Sequence, residues 1–151
     1  MRLSAWTASA FALVLMVLAS PALADRPGFS SPSGNITCYL DDHWQTPLPL
    51  NQREMVCLIF EANWTLPEYY GDDDPTCDLD RTRTLILPPD GPAREQWTCH
   101  GDVFWPIHGA IGYGSDWSVT TFQCQMAQTG VTCQNARGNG FSVRRAARSL
   151  Y

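Results

Sequence analysis

The 151-residue sequence has no lysine, no cysteine pair spaced as C-x-x-C and, beyond its first 24 residues, no apolar run of membrane-spanning length. With a formal charge of −5 and no basic stripe, the chain lacks the electrostatic footprint of a nucleic-acid-binding protein. The same charge disfavours adsorption to anionic lipid. The missing C-x-x-C spacing argues against a structural zinc site. The sequence after residue 30 also lacks a 3.6-residue apolar stripe, so we expect helix only in short turns.

The first 24 residues have the organisation of a secretory signal peptide. Arg2 supplies positive charge, residues 10–19 form an apolar core, and Ala22-Leu-Ala24 is a small-x-small cleavage motif. The alternative, an uncleaved anchor, is disfavoured because this core is short for a spanning helix. The sequence therefore predicts a leader at residues 1–24 and a single domain at residues 25–151. We expect a periplasmic or extracellular protein with no stable membrane anchor once the leader is removed.

All six cysteines lie in the part of the chain that follows the leader. An even number in a small exported chain indicates three disulfides, for which 15 connectivities are possible. We favour pairing between nearest neighbours in the sequence: Cys38–Cys57, Cys77–Cys99 and Cys124–Cys133. Only the last of these pairs has a geometric argument behind it.

That argument comes from a hairpin between residues 122 and 134. Apolar side chains alternate with glutamines over 122–126, and after a turn at 128–130 the alternation resumes. Reflecting the chain about this turn sets Cys124 opposite Cys133, at a separation that suits a disulfide. A type I turn closed by a bulge puts Gly130 at positive φ, so we expect this glycine to be required.

Other segments also have the patterns of strands. We expect strands within residues 36–40, 54–61, 79–87, 94–105 and 141–144, connected by turns rich in glycine and proline. Residues 25–29 are interpreted as a frayed start, and only residues 146–150 have helical propensity. The fold class predicted is all-β, a small disulfide-stapled antiparallel sheet or sandwich of about six or seven strands.

Several of these segments resemble a family of uncharacterised exported bacterial domains with paired cysteines. The resemblance lies in Pro32-Ser-Gly-Asn-Ile36 with Cys38, in Tyr113-Gly114, and in Gly130-Val-Thr-Cys-Gln-Asn135 with Gly138-Asn-Gly-Phe141. It implies a bacterial exported β domain and brings no catalytic or binding residues with it.

Two polar groupings raise the question of a metal or a catalytic site. Five carboxylates within residues 72–80 could surround calcium, but the segment lacks the glycine and the terminal glutamate of an EF-hand loop. We therefore expect solvated charge there, with no metal site and no cofactor. His100 or His108 together with Asp102 could form a catalytic base, although Gly112-Tyr-Gly-Ser-Asp116 is not followed by the glycine of a nucleophile elbow. With all cysteines oxidised, no thiolate nucleophile is available either.

The tryptophans suggest a binding function instead. Most aromatic side chains in a chain of this size should form its core, but Trp44 and Trp64 lie on polar segments marked by proline and are the better candidates for binding. The sequence therefore predicts a non-catalytic binding or structural domain that recognises a protein or an envelope component. The alternative is a small hydrolase that uses His100 or His108 with Asp102.

Overall fold

In a computed structural model, residues 26–41, 48–66, 76–100 and 108–151 are described. They form ten strands and one 3₁₀ turn at Leu50–Gln52. The strands, in chain order, are β1 Gly28–Ser30, β2 Ile36–Leu40, β3 Met55–Ile59, β4 Asp80–Leu87, β5 Arg94–His100, β6 Asp116–Val119, β7 Phe122–Ala127, β8 Gly130–Gln134, β9 Gly140–Arg144 and β10 Ala147–Leu150. Among these residues no helix is long and apolar enough to cross a membrane.

The strands form two antiparallel sheets, and each sheet is a simple meander of consecutive strands. Sheet 1 contains β1 to β5 and sheet 2 contains β6 to β10, each with neighbours in sequence as neighbours in space. The all-β class predicted from the sequence is therefore confirmed. The number of strands is ten instead of about six or seven, because the short strands β1, β6 and β10 give little period-two signal.

β10 is the clearest difference between the sequence pattern and the structure. Residues 147–150 have helical propensity, but in the structure they pair with β9, from Ala147 opposite Arg144 to Leu150 opposite Phe141. The inward side chain of Arg148 forms a bidentate ion pair with Glu95 of sheet 1 at 2.7 and 2.8 Å. Local propensity is a weak preference, and here the tertiary contacts override it.

The core lies between the two sheets. Its largest fully buried side chains include Phe29, Leu85, Phe122 and Phe141, which come from both sheets. Met55 of sheet 1 meets the disulfide of sheet 2, with its Sδ atom 3.5 Å from the Sγ atom of Cys124. The two sheets therefore share one apolar interior, as in a β-sandwich.

The three disulfides join the pairs predicted from the sequence: Cys38–Cys57, Cys77–Cys99 and Cys124–Cys133. Cys38 is directly opposite Cys57 across β2 and β3, and Cys124 is directly opposite Cys133 across β7 and β8. Each of these two pairs has its Cα atoms 4.1 Å apart. Each sheet is thus stapled across two of its central strands, on the side that faces the core.

The outer faces of the two sheets differ. On sheet 1 the outer face carries a second buried apolar cluster of Tyr39, Val56, Leu58 and Ile86, so β2 and β3 are buried on both sides. On sheet 2 the buried and exposed residues of β7 and β8 alternate, as the hairpin pattern predicted. The outer face of sheet 2 is therefore open to solvent along its length.

Candidate functional site

The structure places Trp64 in the core instead of on an exposed loop. The residue is 8% exposed and its Nε1–H donates a hydrogen bond of 3.2 Å to the carbonyl oxygen of Arg144. The guanidinium groups of Arg83 and Arg148 lie 5.6 and 4.7 Å from the centre of its rings. The expected position of Trp64 on an exposed loop is therefore wrong. The residue is buried because these contacts join the segment after β3 to both sheets. A contact of Trp64 with a ligand stays a prediction, and Trp44 lies outside the described residues.

The two histidines of the hydrolase alternative lie near different edges of sheet 1. His100 ends β5, where its Nε2 atom is 2.7 Å from the hydroxyl of Thr82. His108 is close to β1 and β2, with its ring stacked on Tyr39 at a centroid distance of 6.3 Å. Strands β3 and β4 separate them, and at about 4.8 Å per strand the two rings are too far apart to act on one bond. Asp102 lies outside the described residues.

The part of the chain that the structure describes also bears on the question of a metal site. No group of three or more histidine, cysteine, aspartate or glutamate residues is placed there to hold a metal ion. Residues 72–75 of the acidic segment lie outside this part, so the expectation about calcium stays a prediction.

A cleft of about 410 Å³ opens at one end of the sandwich, where turns from both sheets meet. Sheet 1 contributes the β1–β2 turn and the two residues after β3, and sheet 2 contributes the β7–β8 and β9–β10 turns. The turn at 112–115 completes the wall, because Gly114 N–H donates to the carbonyl oxygen of Met126 at 2.7 Å. Ligand sites on β-sandwiches commonly lie where loops converge in this way.

The walls of the cleft are held by hydrogen bonds between the turns. The side-chain amide of Asn35 forms two hydrogen bonds with the backbone of Glu61, in the way that a paired strand would. Its Nδ2 donates to the carbonyl oxygen of Glu61 at 2.9 Å, and its Oδ1 accepts from the Glu61 N–H at 2.7 Å. Asn63 N–H then donates to the carbonyl oxygen of Arg145 at 2.7 Å, which links the two sheets. The carboxylate of Glu61 lies 2.9 Å from Arg145. The turns are therefore positioned before any ligand arrives.

Several side chains that line this cleft are exposed, among them Phe60, Gln128, Tyr113 and Arg144. Tyr113 is 52% exposed, between two glycines that leave its ring uncovered. Arg144 is exposed at the end of β9, and among the described residues no carboxylate pairs with its guanidinium. A phenol ring offers an apolar face with a polar tip, and a guanidinium offers a planar set of donors. The arrangement can hold a ligand that combines a flat apolar surface with an anionic group.

The charge distribution favours an anionic ligand at sheet 2. Residues 116–151 contain four arginines and one acidic residue, Asp116, whereas the other 14 acidic residues precede this segment. Sheet 2 and its turns are therefore positive by three charges within a chain that is negative overall. Two of the four arginines, Arg145 and Arg148, are engaged in ion pairs with sheet 1.

The cleft continues onto the outer face of sheet 2. Arg144 and Gly130 line both the cleft and a shallow depression of about 320 Å³ over β8, β9 and β10. Thr132 is shared between that depression and a third one of about 450 Å³ over β6, β7 and β8. The end cleft and the two depressions therefore adjoin one another across the open face of the sheet.

Sequence patterns gave little indication of this site. Its residues come from five separate segments, which meet only through the packing of two sheets. A signal was present at Gly112-Tyr113-Gly114, where a large ring between two glycines in a turn has few neighbours to cover it. Three of the segments that carry the family resemblance, Pro32–Ile36, Tyr113-Gly114 and the glycine at 130, come together around the cleft.

Comparisons with protein-family models, with curated proteins and with solved structures find no match for this chain.

Proposed function

We propose that the chain is a non-catalytic binding domain of an exported protein, and that the end cleft is its ligand site. The observation that carries this proposal is the cleft itself, a concave site built on hydrogen-bonded turns in which the ring of Tyr113 is half exposed. Hydrogen bonds between its turns hold the walls in place, and the ring of Tyr113 and the guanidinium of Arg144 are open to a partner. The partner proposed is a component of the cell envelope or a protein located there.

Export is supported by the disulfides. Three disulfides in a small domain are typical of proteins that fold in an oxidising compartment. The leader predicted at residues 1–24 would direct the chain to such a compartment, either the periplasm or the extracellular space, and the resemblance described above implies a bacterial host.

The proposed site is tested by measuring how much of the oxidised protein, residues 25–151, sediments with the envelope fraction of its native host. We expect Tyr113→Ala to reduce the bound fraction, because it removes the exposed ring of the cleft. A matched control is Tyr151→Ala, since Tyr151 is 50% exposed and ends the chain beside Gly140, at the opposite end of sheet 2.

Both variants change exposed side chains, so their melting temperatures should stay close to that of the unchanged protein. The proposal is supported if Tyr113→Ala loses most of the binding while Tyr151→Ala retains it. Equal loss in the two variants, or no sedimentation of the unchanged protein, would remove the cleft as the ligand site.

The hydrolase alternative, in which His100 or His108 acts with Asp102, stays a prediction, because Asp102 lies outside the described residues.

A further inference from the structure

We propose that the ligand of this domain is an acidic glycan, whose carboxylate binds Arg144 and whose chain lies along the outer face of sheet 2. This inference rests on the proposed function and specifies the class of ligand for the same site.

The anionic part of the ligand follows from Arg144. Its guanidinium stands where the end cleft and the open face of sheet 2 meet, and the described residues provide no carboxylate for it. Arginine binds carboxylates through two parallel hydrogen bonds, which gives both strength and orientation. Arg145 beside it is already paired with Glu61, so Arg144 is the cation of this cleft that a ligand can neutralise.

The saccharide part of the ligand follows from the outer face of sheet 2, every residue of which the structure describes. Its outward side chains are mostly amides and hydroxyls: Ser118, Gln123, Gln125, Thr132, Gln134, Ser142 and Ser149. The charged members are Arg144 and one carboxylate, Asp116, which accepts a hydrogen bond of 3.4 Å from the side chain of Gln125. The apolar members of this face are two alanines, Ala127 and Ala147. Protein-binding surfaces depend on buried aromatic or aliphatic anchors, which this face does not offer.

Amides and hydroxyls match the chemistry of sugars. Each presents both a donor and an acceptor, as do the hydroxyl groups of a sugar. Gln123 and Gln134 are directly opposite each other on β7 and β8, and within the described part of the chain their side chains make no hydrogen bond. Thr132 and Ser142, in contrast, already bond to each other at 2.9 Å. The two glutamines are thus available to a saccharide about 13 Å along β8 from the turn at Gly130.

The ring of Tyr113 completes the site at its other end. It lines the same cleft as Arg144, and the apolar face of a pyranose ring can pack against an exposed phenol ring. A chain of several sugar units could therefore contact the ring, the guanidinium and the two glutamines together.

Calorimetric titration of the oxidised protein tests the ligand class. The probes are an oligogalacturonate, a neutral malto-oligosaccharide of the same length, and poly-L-glutamate as a carboxylate carried on a peptide. We expect the oligogalacturonate to bind at least about 10-fold more tightly than either of the others. The neutral glycan lacks the charge-assisted hydrogen bonds to Arg144, and poly-L-glutamate lacks the sugar hydroxyl groups that the glutamines would bind. The affinity of the oligogalacturonate should fall as the salt concentration rises.

Two arginine variants locate the charge. Arg144→Gln should weaken oligogalacturonate binding about 10-fold or more, whereas Arg137→Gln should weaken it clearly less. Arg137 is the comparison arginine, because it is exposed in the β8–β9 turn, at the end of the sheet where the glycan would contact the glutamines and not at the end cleft. A third variant, Gln134→Ala, should weaken binding without changing its dependence on salt, since no charge is removed.

The outcomes separate this inference from the proposed function. Equal affinity for the acidic and neutral glycans, or equal effects of the two arginine variants, would overturn the inference. Tighter binding of poly-L-glutamate would overturn it in favour of a peptide ligand. If no glycan binds while sedimentation with the envelope still depends on Tyr113, the inference fails and the proposed function stands. If that sedimentation is absent as well, both fail.

Discussion

Gly130 has both a positive φ and backbone atoms of β9 close to the position of a Cβ, and either feature disfavours a side chain there. Its φ is +125°, and a Cβ placed on it would lie 2.2 Å from the carbonyl oxygen of Val143 and 2.9 Å from the Cβ of Arg144. Residues 128 and 129 of the turn have negative φ, so the positive φ falls on the glycine that follows them, as a type I turn with a bulge requires. Any side chain here should strain the backbone and push β9 away.

Three further glycines separate these effects. Gly138 has a φ of +80° with open space around it, whereas a Cβ on Gly140 would lie 2.1 Å from the carbonyl oxygen of Cys133 without a positive φ. Gly112 has neither constraint, since the nearest atom to its Cβ would be 3.7 Å away. The alanine substitutions at these four positions therefore form a two-by-two comparison of backbone strain and steric overlap.

The expected costs follow from general magnitudes. Gly138→Ala should destabilise the protein by about 1–2 kcal/mol, the cost of a left-handed conformation for an L-residue. Gly140→Ala should cost about 1–3 kcal/mol, as overpacking does. Gly130→Ala should combine both terms, at about 2–5 kcal/mol. Gly112→Ala should be neutral or stabilising by up to about 1 kcal/mol, because alanine lowers the entropy of the unfolded chain.

Urea unfolding of the oxidised proteins measures these differences, and the melting temperatures provide a second measurement. If Gly130→Ala costs no more than Gly138→Ala, the contact with Val143 can relax freely and the steric part of the reasoning is wrong. If Gly138→Ala and Gly112→Ala have the same stability, the positive φ carries no cost and the conformational part is wrong. Gly130→Val should exceed the roughly 1 kcal/mol range of strand propensities in any case.

Three other expectations can be tested directly. The disulfide between Cys77 and Cys99 should be the first that a mild thiol reduces, because the other two lie in the core and exchange requires access to a sulfur atom. Alkylation of the reduced cysteines followed by peptide mapping would show this order. Earlier labelling of any other cysteine would contradict it. Glu95→Gln should lower the free energy of unfolding in urea by about 1–3 kcal/mol, since the glutamate side chain of the bidentate ion pair with Arg148 is only 13% exposed. Glu61→Gln should lower it by less than about 1 kcal/mol, because that glutamate side chain is 63% exposed. Similar costs for the two substitutions would refute the role assigned to burial. N-terminal sequencing of the protein isolated from its native host should begin at Asp25, and a chain that retains the preceding residues would rule out the cleavage site.

The hairpin of sheet 2 could be predicted in register because one of its faces is exposed. Alternation of apolar residues and glutamines fixes which side chains face inward, and a short turn then fixes which residues are opposite each other. Sheet 1 gave less information. β2 and β3 are buried on both faces, so their residues do not alternate, and a connection of 14 residues between them hides the register that sets Cys38 opposite Cys57.

Trp64 shows a second limit of reading the sequence. Its neighbours Asn63 and Thr65 are polar, which suggested an exposed loop, but burial alternates along this segment: Trp64 and Leu66 are buried while the polar residues are exposed. Such alternation over four residues is too short to recognise without knowing what packs above it. The cleft was unpredictable for a related reason, since its walls become neighbours only when the two sheets dock.

The consecutive order of strands has a consequence for how the chain can mature as it emerges from a ribosome or an export channel. Sheet 1 consists entirely of residues 28–100, so both of its disulfides can close before the first residue of β6 appears. The last disulfide joins cysteines only nine positions apart. An oxidant that links each cysteine to the next one to arrive would therefore produce the native bonds in order, without an isomerase to correct them. Pulse alkylation of the emerging chain should accordingly find Cys38–Cys57 formed first and no mixed pairings between the two sheets.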